Sequence, residues 1–124
     1  MLALVVDDSS TIRRILQRIL GQMGFAAYEA GNGQAALDLL MEIPTVPDVA
    51  LIDWNMPVMD GLQLIRHVRK MPPLRDMCMM MVTTEAEHSQ MVRALAAGAH
   101  EYVMKPFTAD VIKAKLSYLG LVAP

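Results

Sequence analysis

Five short apolar segments alternate along the chain with longer segments in which apolar residues recur every three or four positions. An uninterrupted apolar run is typical of a strand that is buried on both faces, whereas the recurring pattern is typical of an amphipathic helix. The predicted strands are 2–6, 25–30, 49–52, 77–82 and 101–104. A predicted helix follows each strand, so the chain consists of strand–helix pairs.

Glycine, proline and asparagine mark the ends of the predicted helices. Gly24 ends the first helix, whose apolar face includes Ile12 and Leu16. Asn32 is placed to cap the second helix, and Pro44 follows the last apolar residue of that helix. The other three helices end at Pro72-Pro73, at Gly98 and at Gly120.

The spacing of the strand ends predicts the fold. The strands end near positions 7, 30, 53, 83 and 104, which gives steps of 23, 23, 30 and 21 residues, each the length of one βα unit. Alternating strands and helices favour parallel strands, right-handed crossovers and helices on both faces of the sheet. The sequence therefore predicts an α/β fold with a doubly wound five-stranded parallel sheet, (βα)5, in one domain over residues 1–124.

The composition is that of a folded domain, with 54% hydrophobic and 19% charged residues. A net charge of -2 lacks the basic excess of nucleic-acid-binding proteins, so no direct nucleic-acid contact is expected. The single cysteine, Cys78, lies in an apolar run and is expected to be a small buried hydrophobe in a reducing compartment. No apolar run approaches the ~20 residues that cross a bilayer, so we expect no membrane insertion and a cytoplasmic location.

Residues capable of chemistry follow the predicted strands at their carboxyl ends, which in a parallel sheet form the ligand-binding edge. They are Asp7, Asp8, Asp53, Thr83 and Lys105. Three crowded carboxylates repel one another, and Mg²⁺ is the hard cation that best relieves such repulsion at a site with an incoming phosphate. Lys105 and Thr83 then provide a charge and a hydroxyl donor for a phosphoryl group that moves to Asp53, the best nucleophile.

Each of these residues also has a simpler interpretation when it is taken alone. Asp7 and Asp8 are good caps for the first helix, Thr83 for the fourth, and Asp53 for a turn. Lys105 is compatible with a solvated charge. The arrival of all five residues at one edge is what favours a shared site.

Taken together, the motifs resemble the receiver domains of two-component response regulators, in form closest to the single-domain CheY-like chemotaxis type. The matching segments are Val5-Val6-Asp7-Asp8-Ser9, Asp53-Trp54-Asn55-Met56-Pro57-Val58-Met59-Asp60-Gly61, Val82-Thr83-Thr84-Glu85-Ala86 and Tyr102-Val103-Met104-Lys105-Pro106-Phe107. The resemblance covers essentially the whole chain. It implies a flavodoxin-like sheet with strand order 2-1-3-4-5.

The resemblance also implies a role for each acidic residue. Asp53 is the expected phosphoacceptor and Mg²⁺ the expected cofactor. Asp8, Asp53 and the backbone carbonyl of Asn55 are expected to bind Mg²⁺ directly, and Asp7 through water. The expected donor is a sensor histidine kinase or a phosphotransfer protein. No enzymatic activity is expected beyond Mg²⁺-dependent self-phosphorylation and autodephosphorylation.

A conformational switch is implied in the same way. Thr83 and Lys105 are expected to contact the phosphoryl oxygens, and the Tyr102 ring to swing inward when Thr83 moves toward the phosphate. This change alters the face formed by the fourth helix, fifth strand and fifth helix, where a downstream protein target is expected to bind. Asn55 and Glu85 flank the site and are expected to influence hydrolysis of the aspartyl phosphate.

Other functions compete with this interpretation. Residues 31–36 match the dinucleotide fingerprint, but that motif belongs on the first βα turn, where this chain has Asp7 and Asp8. We interpret its glycines as serving the turn into the second helix. A phosphatase of the haloacid-dehalogenase type also forms an aspartyl phosphate, but it needs an acid–base residue where this chain has Asn55. A receiver cut from a larger regulator is a third alternative, because residues 121–124 include no polar residue.

Trp54 is the only tryptophan and directly follows Asp53. Adjacent side chains of an extended segment point apart, so Trp54 is expected beside the rim of the site and partly exposed.

Overall fold

The computed structural model describes residues 1–123 and contains five parallel strands that alternate with five α-helices. The elements are β1 (Leu2–Val6), α1 (Ser10–Gln22), β2 (Ala26–Ala30), α2 (Gly33–Glu42), β3 (Val49–Ile52), α3 (Gly61–Arg69), β4 (Cys78–Thr83), α4 (His88–Ala97), β5 (Glu101–Met104) and α5 (Ala109–Tyr118). The sheet order is β2-β1-β3-β4-β5, which confirms the predicted fold and strand order. Pro124, the last residue of the predicted domain, lies outside the described residues.

Backbone hydrogen bonds between neighbouring strands continue one residue beyond the strand ends and hold the backbone of the site residues in place. The Asp7 N–H donates to the carbonyl of Ala30, and the Asp53 N–H donates to the carbonyl of Val6 at 2.9 Å. The Lys105 N–H donates to the carbonyl of Thr83, also at 2.9 Å. The main chain therefore places these residues at one edge of the sheet, as the parallel arrangement predicts.

The core has two halves, one on each face of the sheet. Successive residues of β3 alternate between them: Ala50 and Ile52 belong to one half, and Val49 and Leu51 to the other. The first half is closed by α2, α3 and α4 through residues that include Ala36, Leu40, Leu62, Ile65 and Ala94. The second half is closed by α1 and α5 through residues that include Leu16, Leu20, Ile112 and Leu116.

The prediction that the strands are buried is wrong for β2. Ala26, Tyr28 and Glu29 are exposed, and only Ala30 at the end of the strand is buried. The physical reason is position, because β2 is an edge strand that pairs with β1 alone. The prediction for Cys78 is also wrong in part, since its side chain is only half-buried at the start of β4.

The observed helix caps argue against the simpler interpretation that Asp8 and Thr83 serve as caps. Ser9 caps α1, because its hydroxyl accepts the N–H of Ile12 at 3.2 Å. Asn32 caps α2 as predicted. The cap position of α4 is Glu87, which makes no side-chain cap bond, and Thr83 lies further back at the end of β4. Asp8 and Thr83 are therefore not the caps of these helices.

Gly33 has a packing role that explains part of the fingerprint match. Its N–H donates to the carbonyl of Met59 at 3.0 Å. A Cβ at Gly33 would lie 2.8 Å from that same oxygen, closer than non-bonded atoms approach. The small residue thus lets the loop between β3 and α3 rest against the start of α2.

Among residues 1–123, no helix combines the length and the apolar character that a membrane span requires. The longest, α1, has 13 residues.

Candidate functional site

Three carboxylates converge at the carboxyl edge of the sheet. Asp7, Asp8 and Asp53 each offer an oxygen, and these oxygens all lie within 4.8 Å of one another. Asp7 and Asp53 are buried, with 1% and 8% of their surface exposed, whereas Asp8 is exposed. A hard cation that enters from solvent at Asp8 would find oxygen ligands of the kind that it prefers. The residues present therefore fit a metal ion.

Lys105 provides the positive charge of the site. Its ammonium group donates to Asp7 Oδ2 at 2.7 Å and lies 3.4 Å from Asp53 Oδ2. The Lys105 side chain is only 14% exposed, so solvent screens this interaction less than at the surface. The ammonium group thus compensates part of the charge of both buried acids.

Burial is the main cause that raises the pKa of the Asp53 carboxyl above its ordinary value of 3.8. The Lys105 charge opposes that shift, and the charge of Asp7 adds to it. Thr83, whose side chain is fully buried, also lowers the pKa of Asp53. The other four residues of the predicted site are therefore gathered around Asp53.

Gly61 closes the loop that follows Asp53. The Gly61 N–H donates to the carbonyl of Trp54 at 2.8 Å, and the Trp54 N–H donates to Asp53 Oδ1 at 2.8 Å. A Cβ at Gly61 would overlap the Asp53 carbonyl, so only glycine fits there. The carboxylate orientation is thus held by the turn itself.

A hydrogen bond joins the two loops that flank the site. Asn55 Nδ2 donates to Glu85 Oε1 at 2.8 Å and connects the β3–α3 loop to the β4–α4 loop. The sequence placed both residues beside the site, but their mutual contact was not predicted. No local pattern signals it, because 30 residues separate the two partners.

Tyr102 is buried in β5, and its hydroxyl donates to the carbonyl of Glu85 at 2.7 Å. Burial, followed by the charge of Glu85, raises the pKa of the Tyr102 phenol. The ring therefore already lies inside, bonded to the loop after Thr83, in the conformation that the structure describes.

The expected exposure of Trp54 is wrong. Its side chain is only 6% exposed and belongs to the core half closed by α2, α3 and α4. The Arg93 guanidinium of α4 covers the ring, 5.7 Å from its centroid. The Asp53 carboxylate belongs to the acidic cluster and the Trp54 ring to the core, so the space beside the site that Trp54 fills is core and not solvent.

Arg13 is a contact of the site that the sequence reasoning missed. Its guanidinium donates to the backbone carbonyl of Asp7 at 2.7 Å. The helical spacing of the apolar residues in α1 indicates only that Arg13 lies away from the apolar face, and a bond to a backbone carbonyl leaves no signature in the sequence.

Comparisons with known proteins agree with this geometry. The family model of the response regulator receiver domain matches residues 3–117. A chemotaxis protein CheY homolog of Campylobacter jejuni is 46% identical over 117 residues, which cover 94% of this chain and 89% of the relative. Chemotaxis protein CheY of Pseudomonas aeruginosa is 44% identical, with 94% and 93% covered.

Solved structures show the same similarity. The chemotaxis response regulator CheY4 of Vibrio cholerae superimposes with a TM-score of 0.87 at 30% identity, covering 95% of this chain and 97% of that one. A family match over most of the chain, relatives above 40% identity and a shared fold lead to one conclusion. The chain belongs to the response regulator receiver domains and is a receiver of the CheY-like type found in two-component signalling.

Proposed function

We propose that this receiver accepts a phosphoryl group on Asp53 with the help of Mg²⁺ and signals through a partner protein. The observation that carries the proposal is the convergence of three carboxylate oxygens within 4.8 Å beside the Lys105 ammonium group. Residues that served only as helix caps or in packing would need neither two buried carboxylates nor a lysine ammonium group that lies beside both.

Asp8, Asp53 and the Asn55 carbonyl would hold Mg²⁺ directly, and Asp7 through water. When bound, Mg²⁺ supplies positive charge to the oxygens of the transferred group. The exposure of Asp8 supports this assignment, because Mg²⁺ retains several waters and needs access to solvent. The two bonds that Asp7 already makes, to Lys105 and to the Ser9 N–H, support a less direct role.

Asp53 would act as the nucleophile. Its Oδ1 accepts the Trp54 N–H, which leaves Oδ2, the oxygen facing Lys105, to form the new bond to phosphorus. As that bond forms, the bond between phosphorus and the histidine nitrogen, or the acyl oxygen of a small donor, breaks. Lys105 and Thr83 then balance the charge and donate to the phosphoryl oxygens.

The phosphoryl group would remain on Asp53 as a signal. Rapid hydrolysis needs a residue that takes a proton from water, and the residue two positions after Asp53 is Asn55, an amide that does not titrate. Asn55 is also bonded to Glu85. We therefore favour a phosphoacceptor with slow self-hydrolysis over a phosphatase.

The expected partners are a histidine kinase or phosphotransfer protein as donor and a protein target on the α4-β5-α5 face. Movement of Thr83 toward a phosphate would act on the loop that follows it, whose Glu85 carbonyl accepts the Tyr102 hydroxyl. This bond gives a route from the site to β5. It supports a signal carried by the loop and the strand together.

The test uses intact-protein mass after incubation with acetyl phosphate. The wild type is expected to gain the mass of one phosphoryl group with Mg²⁺ and none after chelation. Asp53→Asn is expected to gain none, while Asp76→Asn, which changes an exposed acid, should behave as the wild type. A gain that persists in Asp53→Asn, or that chelation does not affect, contradicts the proposal.

A further inference from the structure

We propose that Arg13 is a positioning residue of the acidic site, which acts by holding the peptide group between Asp7 and Asp8. The inference rests on the proposed function, because it concerns Mg²⁺ binding at that site. Arg13 does not touch the metal-binding oxygens themselves. Its effect is on the direction in which the two neighbouring carboxylates point.

The guanidinium of Arg13 reaches from α1 to the end of β1. Its Nη1 donates to the backbone oxygen of Asp7 at 2.7 Å, and its Nε donates to Glu29 Oε1 on β2 at 2.8 Å. Only 18% of the side chain is exposed. The planar fork of an arginine makes these two bonds in fixed directions, which a lysine does not.

Glu29 is itself held in place. Gln17, one turn further along α1, donates to its second oxygen at 2.9 Å. The backbone of Glu29 is paired with Val5 in the sheet. The pKa of Glu29 is lowered, first by the bond to Arg13 and then by the bond to Gln17. Arg13 is therefore held at two points, by the Asp7 carbonyl and by a half-exposed carboxylate that Gln17 also holds.

The bond from Arg13 completes the partners of Asp7. The Asp7 N–H donates to Ala30, its Oδ1 accepts the Ser9 N–H, and its Oδ2 accepts Lys105. The backbone oxygen is the remaining polar group, and Arg13 occupies it. Because the peptide unit is planar, fixing the Asp7 oxygen also fixes the nitrogen of Asp8 and limits where the Asp8 side chain begins.

Other roles of Arg13 would change Mg²⁺ binding differently. If Arg13 mattered only as a nearby positive charge, it would repel Mg²⁺, and its removal would tighten binding. If it formed only a surface ion pair, its removal would change stability slightly and metal binding not at all. Positioning instead predicts weaker binding, even when the charge is kept.

The experiment measures Mg²⁺ binding by titration calorimetry in the full chain, with Trp54 fluorescence as a second readout. Arg13→Lys and Arg13→Met are both expected to weaken Mg²⁺ binding by about tenfold, the lower end of the range for residues that orient metal ligands. Glu29→Gln, which keeps the Arg13 charge but loosens its anchor, should weaken binding less. Arg14→Met, an exposed change of equal charge on the same helix, is the matched control and should not weaken it.

Circular dichroism confirms that each variant is folded at the titration temperature, and Glu29→Gln tests the same network without changing Arg13. Unchanged affinity in Arg13→Lys, or tighter binding in Arg13→Met, overturns the inference while the proposed function stands. Absence of Mg²⁺ binding in the wild type overturns both.

Discussion

Val58, in the loop after the site, has a backbone conformation that is unfavourable for its side chain. Its φ is +69°, in the left-handed region, and the Met59 N–H donates across it to the Pro57 carbonyl at 2.8 Å. This is a tight γ-turn around a β-branched residue, which costs roughly 1–3 kcal/mol. The side chain is 82% exposed, so it recovers little of that cost by packing.

We expect Val58→Gly to raise the free energy of unfolding by ~1 kcal/mol, because glycine adopts a positive φ without strain. The greater entropy of glycine in the unfolded chain offsets part of this gain. Urea denaturation measures the change. Val58→Ala keeps a Cβ in the same turn and is expected to gain less. A lower free energy of unfolding in Val58→Gly would show that the turn is not strained.

Single residues differ in how well the sequence predicts their places in the site. Asp53, Thr83 and Lys105 follow apolar runs, so parallel strands were enough to bring them together. Trp54 was placed wrongly, because alternation tells which side chains point apart but not which side is core. The bond from Arg13 to Asp7 depends on the side-chain conformation of Arg13, and the apolar pattern of the sequence does not predict that conformation.

At the scale of elements, Arg69 fastens the end of the sheet opposite the acidic site. It lies in the last turn of α3, and its guanidinium donates to the carbonyls of Arg75, Met77 and Gly98. A Cβ at Gly98, whose φ is +127°, would collide with the Arg69 side chain. The sequence identified Gly98 as the end of a helix. Its second role, to leave space for the Arg69 side chain, is seen only in the tertiary structure.

His100 belongs to the same contact. Its Nδ1 accepts the Met79 N–H at 3.0 Å and lies 3.3 Å from Arg69 Nη2. His100 is exposed at its surface, but the part of its imidazole that packs inward is desolvated, and this desolvation, followed by the Arg69 charge, lowers the pKa of the imidazole below its ordinary value of 6.5. A proton on Nδ1 would remove an acceptor from the start of β4 and face a guanidinium.

The folded protein therefore favours neutral His100, and this stabilisation is fully present above pH 6.5. As the pH falls below that value, the unfolded chain binds a proton that the folded chain resists, so stability declines. His100→Gln keeps an acceptor that does not titrate and is expected to reduce the slope of stability between pH 7 and pH 5. The measurement is urea denaturation at several pH values. His67→Gln, an exposed change on α3, is the control, and an equal slope in His100→Gln and the wild type would contradict the assignment.

At the scale of the whole molecule, the fold was predictable because every strand–helix pair repeats one pattern. In β3, Ala50 and Ile52 face one half of the core, and Val49 and Leu51 face the other. The sequence shows no apolar–polar alternation there, because both faces are apolar, but the uninterrupted apolar run predicts a strand that is buried on both faces. The edge position of β2 was not predictable in this way, because its residues Ala26 and Ala27 are compatible with either environment. The strand order came from the resemblance and not from the pattern.

Two buried acids and one lysine meet at the carboxyl edge of the sheet. The net charge is only -2, but among the described residues the buried acids Asp7 and Asp53 share one ammonium group within 3.4 Å, that of Lys105. Burial raises the pKa of Asp53, so ionised Asp53 destabilises the metal-free fold. If the site binds a cation as proposed, the buried charge of Asp53 lowers the stability of the fold only while the cation is absent.

Asp53→Asn is expected to raise the free energy of unfolding of the metal-free protein by ~1 kcal/mol, because the neutral amide removes a buried charge and leaves the 2.7 Å pair between Lys105 and Asp7 intact. Mg²⁺ should stabilise the wild type by RT ln(1 + [Mg²⁺]/Kd) and stabilise Asp53→Asn much less, since the variant lacks one of the proposed ligands. Thermal unfolding with and without Mg²⁺ measures both effects. Asp76→Asn removes an exposed charge and should follow the wild type within ~0.5 kcal/mol. If metal-free Asp53→Asn is less stable than the wild type, then the attraction between Lys105 and Asp53 outweighs the cost of burying the Asp53 charge, and ionised Asp53 stabilises the fold.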